Sequence, residues 1–211
     1  MSESWAILST IGLGYLIGSM PFSVWVAKFY RINIFEVGSG NPGATNVKRE
    51  VSKFAGNVVF ILDFLKGVLA VATAIFFFPD TVFSFAIGYC GLLGALFGHG
   101  YSFLIGFRGG KGVSTSMGGL IVLVPLVLLT GIAVWIIFFY STRYVSAASI
   151  SFGISLPITA IVQSQVFPSS EFSIYTIVIL SLLSLAILIR HRTNIQRLLN
   201  GTENKFTKSK V

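Results

Sequence analysis

Charged side chains are scarce in this sequence, and that scarcity excludes an ordinary water-soluble domain. Asp, Glu, Lys and Arg together make up 10% of the 211 residues, whereas hydrophobic residues make up 54%. A soluble domain of this length carries about 25% charged residues. The composition therefore predicts one compact polytopic membrane domain of the all-α class, spanning residues 1–211.

Cysteine, histidine and acidic residues are also few. The single cysteine, Cys90, excludes an internal disulfide, and no metal site is expected. Because Cys90 lies within an apolar run, we interpret it as a small core side chain. The 7 acidic residues against 15 basic ones give a net charge of +8, which would suit nucleic acid. The basic residues follow the membrane loops, however, so we expect membrane lipids and no nucleic acid as partners.

Basic residues are absent before the first hydrophobic run, and Lys28 and Arg31 follow it. This order is wrong for a cleavable signal peptide and predicts a retained helix. The apolar segments of the chain are residues 5–27, 54–78, 82–105, 113–141, 145–164 and 172–190.

Charge is distributed unevenly between the connections that join these segments. Apart from Lys66, which lies inside a span, the basic residues occupy alternate loops and a tail that includes Lys208 and Lys210. The connections on the opposite side carry only three charged residues, Glu3, Asp80 and Glu171. The positive-inside rule therefore places the N-terminus outside and the basic loops and C-terminus in the cytoplasm.

Residues 113–141 present a parity problem. As one helix they would extend about 43 Å and place Arg143 on the wrong side of the membrane. Two short helices of about 13 residues each, with a turn in residues 125–131, resolve the conflict. We therefore predict seven transmembrane helices, some of them short or re-entrant.

Four polar or glycine-rich clusters fall on the predicted cytoplasmic side. The first, residues 38–49, combines small residues, amides and hydroxyls that present hydrogen-bond donors to an anion. Arg49 adds a planar, bidentate partner for phosphate. A flexible, turn-rich loop is an equally good interpretation of this cluster alone.

The second cluster, residues 99–115, contains the sequence FRGGKGVST. It differs from a P-loop because Gly112 occupies the position of the magnesium-binding Ser or Thr, and because a membrane helix precedes it. The glycines and a helix that begins near Val113 still predict an anion-binding nest, to which Lys111 adds a full charge. A structural role for His99 is favoured over a role as ligand or base.

The other two clusters are less specific. Residues 142–149 carry small hydroxyl side chains, which are typical of the start of a helix. Residues 190–205 are basic, as is usual after a final span, but His191 and Asn194 share one helical face. Within the second span, Asp63 and Lys66 have the same spacing, so a structural ion pair and a substrate contact are equally plausible.

Together these residues resemble the bacterial acyl-phosphate:glycerol-3-phosphate acyltransferase family, whose members are integral membrane enzymes. Three segments look like its cytoplasmic motifs, in order: GSGNPGATNVKR, GHGYSFLIGFRGGKGVSTSMG and RHRTNIQRLLNGTENK. The segments DFLKG and RYVSAAS also look familial. The resemblance implies acyl transfer from a fatty acyl phosphate to the 1-hydroxyl of sn-glycerol 3-phosphate, which gives lysophosphatidate and phosphate. It implies no cofactor, coenzyme A or acyl carrier protein, and an active site at the cytoplasmic face of the bacterial inner membrane.

One absence supports this resemblance. Other common glycerolipid acyltransferases carry a His-x-x-x-x-Asp box, but Leu104 stands five residues after His99 and Gln196 stands five after His191. Both implied substrates carry phosphate, so the site must hold about four negative charges. An acyl phosphate is already activated, and no covalent nucleophile is needed.

The resemblance also implies roles for individual residues. We expect Lys111, Thr45 and loop 109–112 to hold the phosphate of the acyl phosphate, and Ser39, Arg49, His191 and Asn194 to orient glycerol 3-phosphate. Glu203 is expected to tie the tail to the basic loops. The general base is either His191 or a phosphate oxygen of the substrate. The residues expected in catalysis are Ser39, Arg49, Lys111, His191 and Asn194. Those expected to bind substrate are Asn41, Thr45, Asn46, Lys66, Gly109, Gly110, Gly112 and Ser149.

Two other classes of function remain open from the sequence. A transporter of a phosphorylated solute would also use broken, short helices, but its site is expected at the membrane midplane and between inverted repeats. The polar clusters here lie at one face, and the sequence shows no such repeat. A scaffold that binds anionic lipid through its basic loops would not require so many glycines beside Lys111 and Arg49.

Overall fold

The computed structural model describes residues 3–79, 84–166 and 174–206. These residues contain α-helices, a 3-10 turn at Phe103–Ile105 and one isolated bridge between Ser102 and Arg108, with no β-strand among them. The helices are α1 (Glu3–Gly18), α2 (Phe22–Phe29), α3 (Ala44–Glu50), α4 (Lys53–Phe77), α5 (Ser84–Gly100), α6 (Val113–Leu123), α7 (Pro125–Thr142), α8 (Val145–Val166), α9 (Ile174–Arg190) and α10 (Arg192–Leu199). The prediction of an all-α protein is confirmed.

Several of these helices are long and apolar enough to cross a membrane. Within the described ranges, 4 segments qualify: Ser4–Phe29, Lys53–Phe77, Pro125–Thr142 and Val145–Val166. A fifth span is possible if α9 and α10, bent by 60°, are taken together, while Ala86–Gly100 and Val113–Leu123 are shorter apolar helices. The count of seven spans and their orientation therefore stay predictions. Four charges used for the topology, those of Asp80, Glu171, Lys208 and Lys210, lie outside the described residues, as does the side chain of Glu3.

Proline accounts for the two places where the helices differ from the predicted segments. The first segment is interrupted between α1 and α2 at Pro21, which has no backbone N–H to continue a helix. Residues 113–141 form two helices as predicted, but the break lies at Val124, just before Pro125. Val124 is not helical (φ −144°, ψ 70°), because the following proline disfavours the helical conformation. The two helices therefore have 11 and 18 residues, not about 13 each.

The contacts of the chain divide it into two compact units, Met1–Leu123 and Val124–Val211. In the first unit, α1 packs on α5, and α4 packs on α6 and α5. Small residues permit close packing: a Cβ at Gly18 would collide with the Ala95 carbonyl oxygen, and one at Gly118 with the Phe64 carbonyl oxygen. Such close approach of backbones is typical of membrane helices.

A separate apolar cluster in the first unit anchors the segment between α2 and α4. Its fully or nearly fully buried residues are Ala27, Ile34, Val47, Ala55 and Val59, which come from α2, the following loop, α3 and α4. Ile34 lies in residues 31–43, which we call the first loop. Because Ile34 and Val47 are buried together, this loop is held on α3 and α4.

In the second unit, α8 packs between α7 and α9, and α10 contacts both α8 and α9. Phe152 of α8 is fully buried, and Gly131 of α7 leaves room for its ring, since a Cβ there would lie 2.9 Å from Phe152 Cε2. Leu156, Leu180 and Ile187 complete this core. The prediction of a single domain over residues 1–211 remains a prediction.

Candidate active site

Asn46 organises the first loop from the first turn of α3. Its side chain is buried, its Oδ1 accepts the Ser39 N–H (3.0 Å), and its Nδ2 donates to the carbonyls of Val37 (3.1 Å) and Ile34 (3.3 Å). Both amide hydrogens are thus used within the loop. Substrate binding by Asn46 stays a prediction, but the geometry favours a role in which Asn46 positions other groups.

The other predicted residues of the first cluster surround this amide. Ser39 is exposed, and its hydroxyl oxygen accepts the Asn41 N–H at 3.4 Å. Thr45 is half-buried in the first turn of α3, and Arg49 is half-buried in its last turn. The cluster is therefore a hydrogen-bonded loop followed by a helix, and its binding of an anion stays a prediction.

Two glycines give the first loop its shape. Gly38 (φ 56°) and Gly40 (φ 66°) both adopt the left-handed conformation, which side chains with a Cβ rarely adopt. A Cβ at Gly38 would also come within 2.5 Å of the Asn46 Oδ1 atom. These positions explain why small residues are required around Ser39.

The second loop, residues 101–112, joins α5 to α6. Among its predicted nest glycines only Gly112 has a positive φ (79°), and its carbonyl accepts the Ser116 N–H at 2.7 Å as α6 begins. Gly109 and Gly110 do not adopt the left-handed conformation. A nest alternates right- and left-handed residues, so Gly112 alone is compatible with one, and anion binding by the loop stays a prediction. A Cβ at Gly109 or Gly110 would instead collide with His99. Close approach, and not conformational freedom, is what requires glycine at 109 and 110.

The two loops lie against each other. The guanidinium carbon of Arg108 lies 3.9 Å from the centroid of the Phe35 ring, a cation–π contact. A Cβ at Gly110 would lie 3.1 Å from the Pro42 carbonyl oxygen. Lys111 follows directly and is half-buried. The structure therefore brings together two sequence clusters that are more than fifty residues apart in the chain.

Beneath the second loop lies a buried group of charged and polar side chains. Lys66 Nζ forms an ion pair with Asp63 Oδ1 at 2.7 Å, and their side chains are 3% and 2% exposed. Lys66 also donates to the Gly18 carbonyl at 3.4 Å and lies 5.0 Å from the Phe22 ring centroid. The structural ion pair, one of the two interpretations of this spacing, is confirmed. Substrate binding by Lys66 stays a prediction.

In the second unit, Glu203 ties the tail to two helices. Its carboxylate accepts hydrogen bonds from Ser146 Oγ (2.8 Å), Asn194 Nδ2 (2.7 Å) and Arg197 Nε (2.7 Å). Burial alone would raise the pKa of Glu203, but the hydrogen bonds from Arg197, Ser146 and Asn194 and the charge of Arg197 lower it below its usual value. Glu203 thus ties the tail to α8 and α10 and not to the basic loops, and it holds the side chain of Asn194.

The remaining predicted residues of the second unit also have defined partners. His191 is buried at the junction of α9 and α10, where its Nδ1 lies 2.8 Å from the Ile187 carbonyl. A carbonyl only accepts, so Nδ1 carries a proton and Nε2 is the acceptor atom of the neutral ring. Ser149 is buried in α8, and its hydroxyl oxygen accepts from Trp135 Nε1 at 3.3 Å.

Sequence reasoning missed two contributors to the first unit. Thr115 Oγ1 lies 3.4 Å from His99 Nδ1, and the same ring nitrogen lies 3.7 Å from Asp63 Oδ1. Phe35 is the second, through its contact with Arg108. The packing of α4, α5 and α6 brings Asp63 and Thr115 to His99, and the contact of the two loops brings Phe35 to Arg108; the sequence does not show which of these residues meet.

Comparison with known proteins identifies the family of the chain. A family model described as glycerol-3-phosphate acyltransferase matches residues 8–201. The chain belongs to this family. A glycerol-3-phosphate acyltransferase from Halalkalibacterium halodurans is 42% identical over 205 residues, with 93% of each chain covered. One from Aquifex aeolicus is 38% identical over 192 residues, which cover 91% of this chain and 95% of the relative.

Solved structures show the same fold. The crystal structure of PlsY (YgiH), an integral membrane glycerol 3-phosphate acyltransferase, in its glycerol 3-phosphate form is 36% identical with a TM-score of 0.85, over 95% of this chain and 96% of that one. Its lysophosphatidic acid form gives a TM-score of 0.83 over 95% of both chains. This acyltransferase therefore has an integral membrane fold. Family membership decides against the transporter and the lipid-binding scaffold that the sequence left open.

Proposed function

We propose that this acyltransferase transfers a fatty acyl group from an acyl phosphate to the 1-hydroxyl of sn-glycerol 3-phosphate. The products are lysophosphatidate and inorganic phosphate. Glycerol 3-phosphate is the acceptor that the family name and the related PlsY structure support. The acyl phosphate donor follows from the motif resemblance and from the chemistry of the loops.

The observation that carries the proposal is the contact between the first and second loops. Arg108 lies on Phe35, and Gly110 lies beside the Pro42 carbonyl, so the loops next to Arg49 and Lys111 contact each other in the first unit. Both substrates carry a phosphate, and cationic side chains with backbone N–H groups are the partners that phosphate prefers. Two phosphate-binding motifs in one unit fit a reaction with two phosphorylated substrates.

The reaction needs no covalent intermediate on the protein. The acceptor hydroxyl attacks the acyl carbonyl carbon, a C–O ester bond forms, and the bond between the carbonyl carbon and the phosphate oxygen breaks. The departing phosphate gains negative charge on the oxygen that is released. Lys111 and the N–H groups of the second loop would stabilise that charge, which lowers the barrier more than equal binding of the substrate would.

The proton of the attacking hydroxyl has two proposed acceptors, His191 and a phosphate oxygen of the substrate. The hydrogen bond to Ile187 supports His191 Nε2 as the acceptor atom, because it fixes the other ring nitrogen as a donor. The His191→Gln variant separates the alternatives. If the histidine is the base, the dependence of turnover on pH that the wild type shows is lost in the variant. A raised KM for glycerol 3-phosphate with that pH dependence intact contradicts this role.

The site is proposed to face the cytoplasm of the bacterial inner membrane, as the positive-inside rule predicts. The test uses single cysteines at the exposed positions Glu36 and Asn200, placed in a Cys90→Ser background. A membrane-impermeant maleimide should label both only after the cytoplasmic side of the membrane is opened. Labelling of either position in intact spheroplasts contradicts the proposed orientation.

The donor is tested with purified protein in detergent. Palmitoyl phosphate and glycerol 3-phosphate should give lysophosphatidate and inorganic phosphate in equal amounts, and palmitoyl coenzyme A should give neither. Lysophosphatidate formed from palmitoyl coenzyme A without phosphate release contradicts the proposed donor but leaves the acceptor intact.

A further inference from the structure

His99 is buried directly beneath the second loop, yet the proposed chemistry gives it no task. It lies in the last turn of α5, and its side chain is 6% exposed. An imidazole in such a place has lost most of its contact with water, so its ring nitrogens need polar partners within the protein. The contacts of this ring differ on its two edges.

The backbone of His99 and one edge of its ring support the second loop. The His99 carbonyl accepts the Gly110 N–H at 3.0 Å. A Cβ at Gly109 would collide with that carbonyl oxygen, and a Cβ at Gly110 would collide with Nε2 and lie 2.9 Å from Cε1. The Gly109 and Gly110 backbone therefore rests on the backbone and on the ring of one residue, immediately before Lys111.

The other edge holds the ring in place. Nδ1 lies 3.4 Å from the Thr115 hydroxyl of α6 and 3.7 Å from the Asp63 carboxylate of α4. Asp63 is itself bound to Lys66 at 2.7 Å. Side chains from two helices thus fix the orientation of a ring that belongs to a third, and the ring cannot turn without breaking these contacts.

We propose that His99 is a positioning residue for acyl transfer: its ring, oriented by Asp63 and Thr115, sets the path of the Gly109 and Gly110 backbone and so the placement of Lys111. This inference rests on the proposed function, because it takes the second loop to hold the acyl phosphate. It also assigns a reason to Gly110. That position is glycine because of the His99 ring, and not because a ligand approaches it.

The proposal makes the effects of two substitutions depend on each other. Gly110→Ala places a methyl group against the ring and displaces the loop, whereas in His99→Ala the same methyl group no longer meets the ring and keeps only its 3.1 Å approach to the Pro42 carbonyl oxygen. The effect of a substitution at 110 should therefore shrink in the His99→Ala background. Gly106 is the control in the same loop: a Cβ there meets nothing within 4 Å, and its left-handed φ (69°) strains an alanine to the same extent in both backgrounds.

The test is a double-mutant cycle on the purified enzyme with palmitoyl phosphate and glycerol 3-phosphate. We expect Gly110→Ala and His99→Ala each to raise the KM for palmitoyl phosphate about tenfold, with the KM for glycerol 3-phosphate nearly unchanged. The KM for palmitoyl phosphate of the double variant should then exceed that of His99→Ala by less than about threefold. The effect of Gly106→Ala should be equal in both backgrounds. An equal effect of Gly110→Ala in both backgrounds overturns the proposal.

A second variant covers the case in which His99→Ala does not fold. Asparagine at 99 keeps a polar atom near Asp63 and Thr115 but lacks the edge that meets Gly110. His99→Asn should therefore reproduce the raised KM for palmitoyl phosphate and the weakened effect of Gly110→Ala. Wild-type kinetics in His99→Asn contradict the role of that edge.

Trypsin cleavage after Arg108 and Lys111 separates failure of this inference from failure of the proposed function. Digestion in detergent needs no turnover. We expect His99→Asn to speed cleavage at these two sites about tenfold, without faster cleavage after Lys28 in the first unit. If wild-type protein does not use palmitoyl phosphate but this difference appears, only the donor is wrong. Equal cleavage in wild type and variant overturns the positioning role.

Discussion

Each unit of the molecule contains a carboxylate that is almost excluded from water, but the two are used in different ways. Asp63 in the first unit is 2% exposed and faces the charged Lys66 and the His99 ring. Glu203 in the second unit is 6% exposed and accepts one hydrogen bond each from a hydroxyl, an amide and a guanidinium. Asp63 compensates a charge within a membrane segment, whereas Glu203 fixes the position of the predicted site residue Asn194.

This difference matters for how the site is built. In the first unit, the second loop, which we propose binds phosphate, takes its shape from close contacts at glycines, such as Gly110 on His99. In the second, side chains are held by other side chains, such as Asn194 by Glu203. We therefore expect substitutions at the first carboxylate to act through stability, and those at the second to change the orientation of a site residue.

The largest effect is expected at Asp63. Asp63→Leu leaves the Lys66 ammonium buried without its counter-charge, which should destabilise the protein by about 3–5 kcal/mol. The double variant Asp63→Leu with Lys66→Met removes both charges and should recover most of that loss. The midpoint of thermal unfolding in detergent measures both. A double variant as unstable as the single one contradicts charge compensation as the role of Asp63.

An intermediate effect is expected at Glu203. Glu203→Gln removes a charged acceptor of three hydrogen bonds and should cost about 1.5–3 kcal/mol. Because Asn194 loses a charged partner, the KM for glycerol 3-phosphate should also rise, whereas the KM for palmitoyl phosphate should not. A variant with lower stability and unchanged kinetics shows that Asn194 does not depend on Glu203 for its role.

The same carboxylate predicts a dependence on pH. The pKa of Glu203 is lower in the folded protein than its ordinary value of 4.5, so the folded state favours the ionised form. Its stabilisation is therefore complete above pH 4.5 and is lost as the pH falls below that value towards the folded pKa. Thermal unfolding of wild type and Glu203→Gln should converge in acid. A constant difference between them from neutral to acidic pH contradicts this assignment.

The smallest effect is expected at Ser149. Its hydroxyl accepts one neutral hydrogen bond from Trp135, and Ser149→Ala should therefore cost about 0.5–1.5 kcal/mol with little change in either KM. Trp135→Phe removes the same bond from the other side and serves as the matched variant. A raised KM for glycerol 3-phosphate in Ser149→Ala alone would support the predicted substrate contact instead.

Local features of the sequence predicted the parts of the structure that depend on neighbours in the chain. The apolar runs located the long helices, and the basic residues predicted a break within residues 113–141, although it lies at Val124 and not in residues 125–131. The spacing of Asp63 and Lys66 allowed for their ion pair. The contacts of His99 with Asp63 and of Arg108 with Phe35 were beyond such reasoning. They join residues far apart in sequence, and only helix packing determines which distant residues meet.

The glycines show the same limit in a different form. The sequence indicated that loop 109–112 needs small residues, and the expected reason was a nest with free backbone conformations. Of these glycines only Gly112 has a positive φ, whereas positions 109 and 110 have no room for a Cβ because His99 lies against them. A pattern of glycines records a steric requirement, but the neighbour that imposes it is visible only in the fold.

The most direct test of the account concerns which substrate the second loop holds. Steady-state kinetics of Lys111→Ala should show a KM for palmitoyl phosphate raised at least about tenfold and a KM for glycerol 3-phosphate within about twofold of wild type. Lys48→Ala is the control of equal charge, because Lys48 donates to Asn57 on α4 and should change neither value. A raised KM for glycerol 3-phosphate, with that for palmitoyl phosphate unchanged, contradicts the assignment of the second loop to the acyl phosphate.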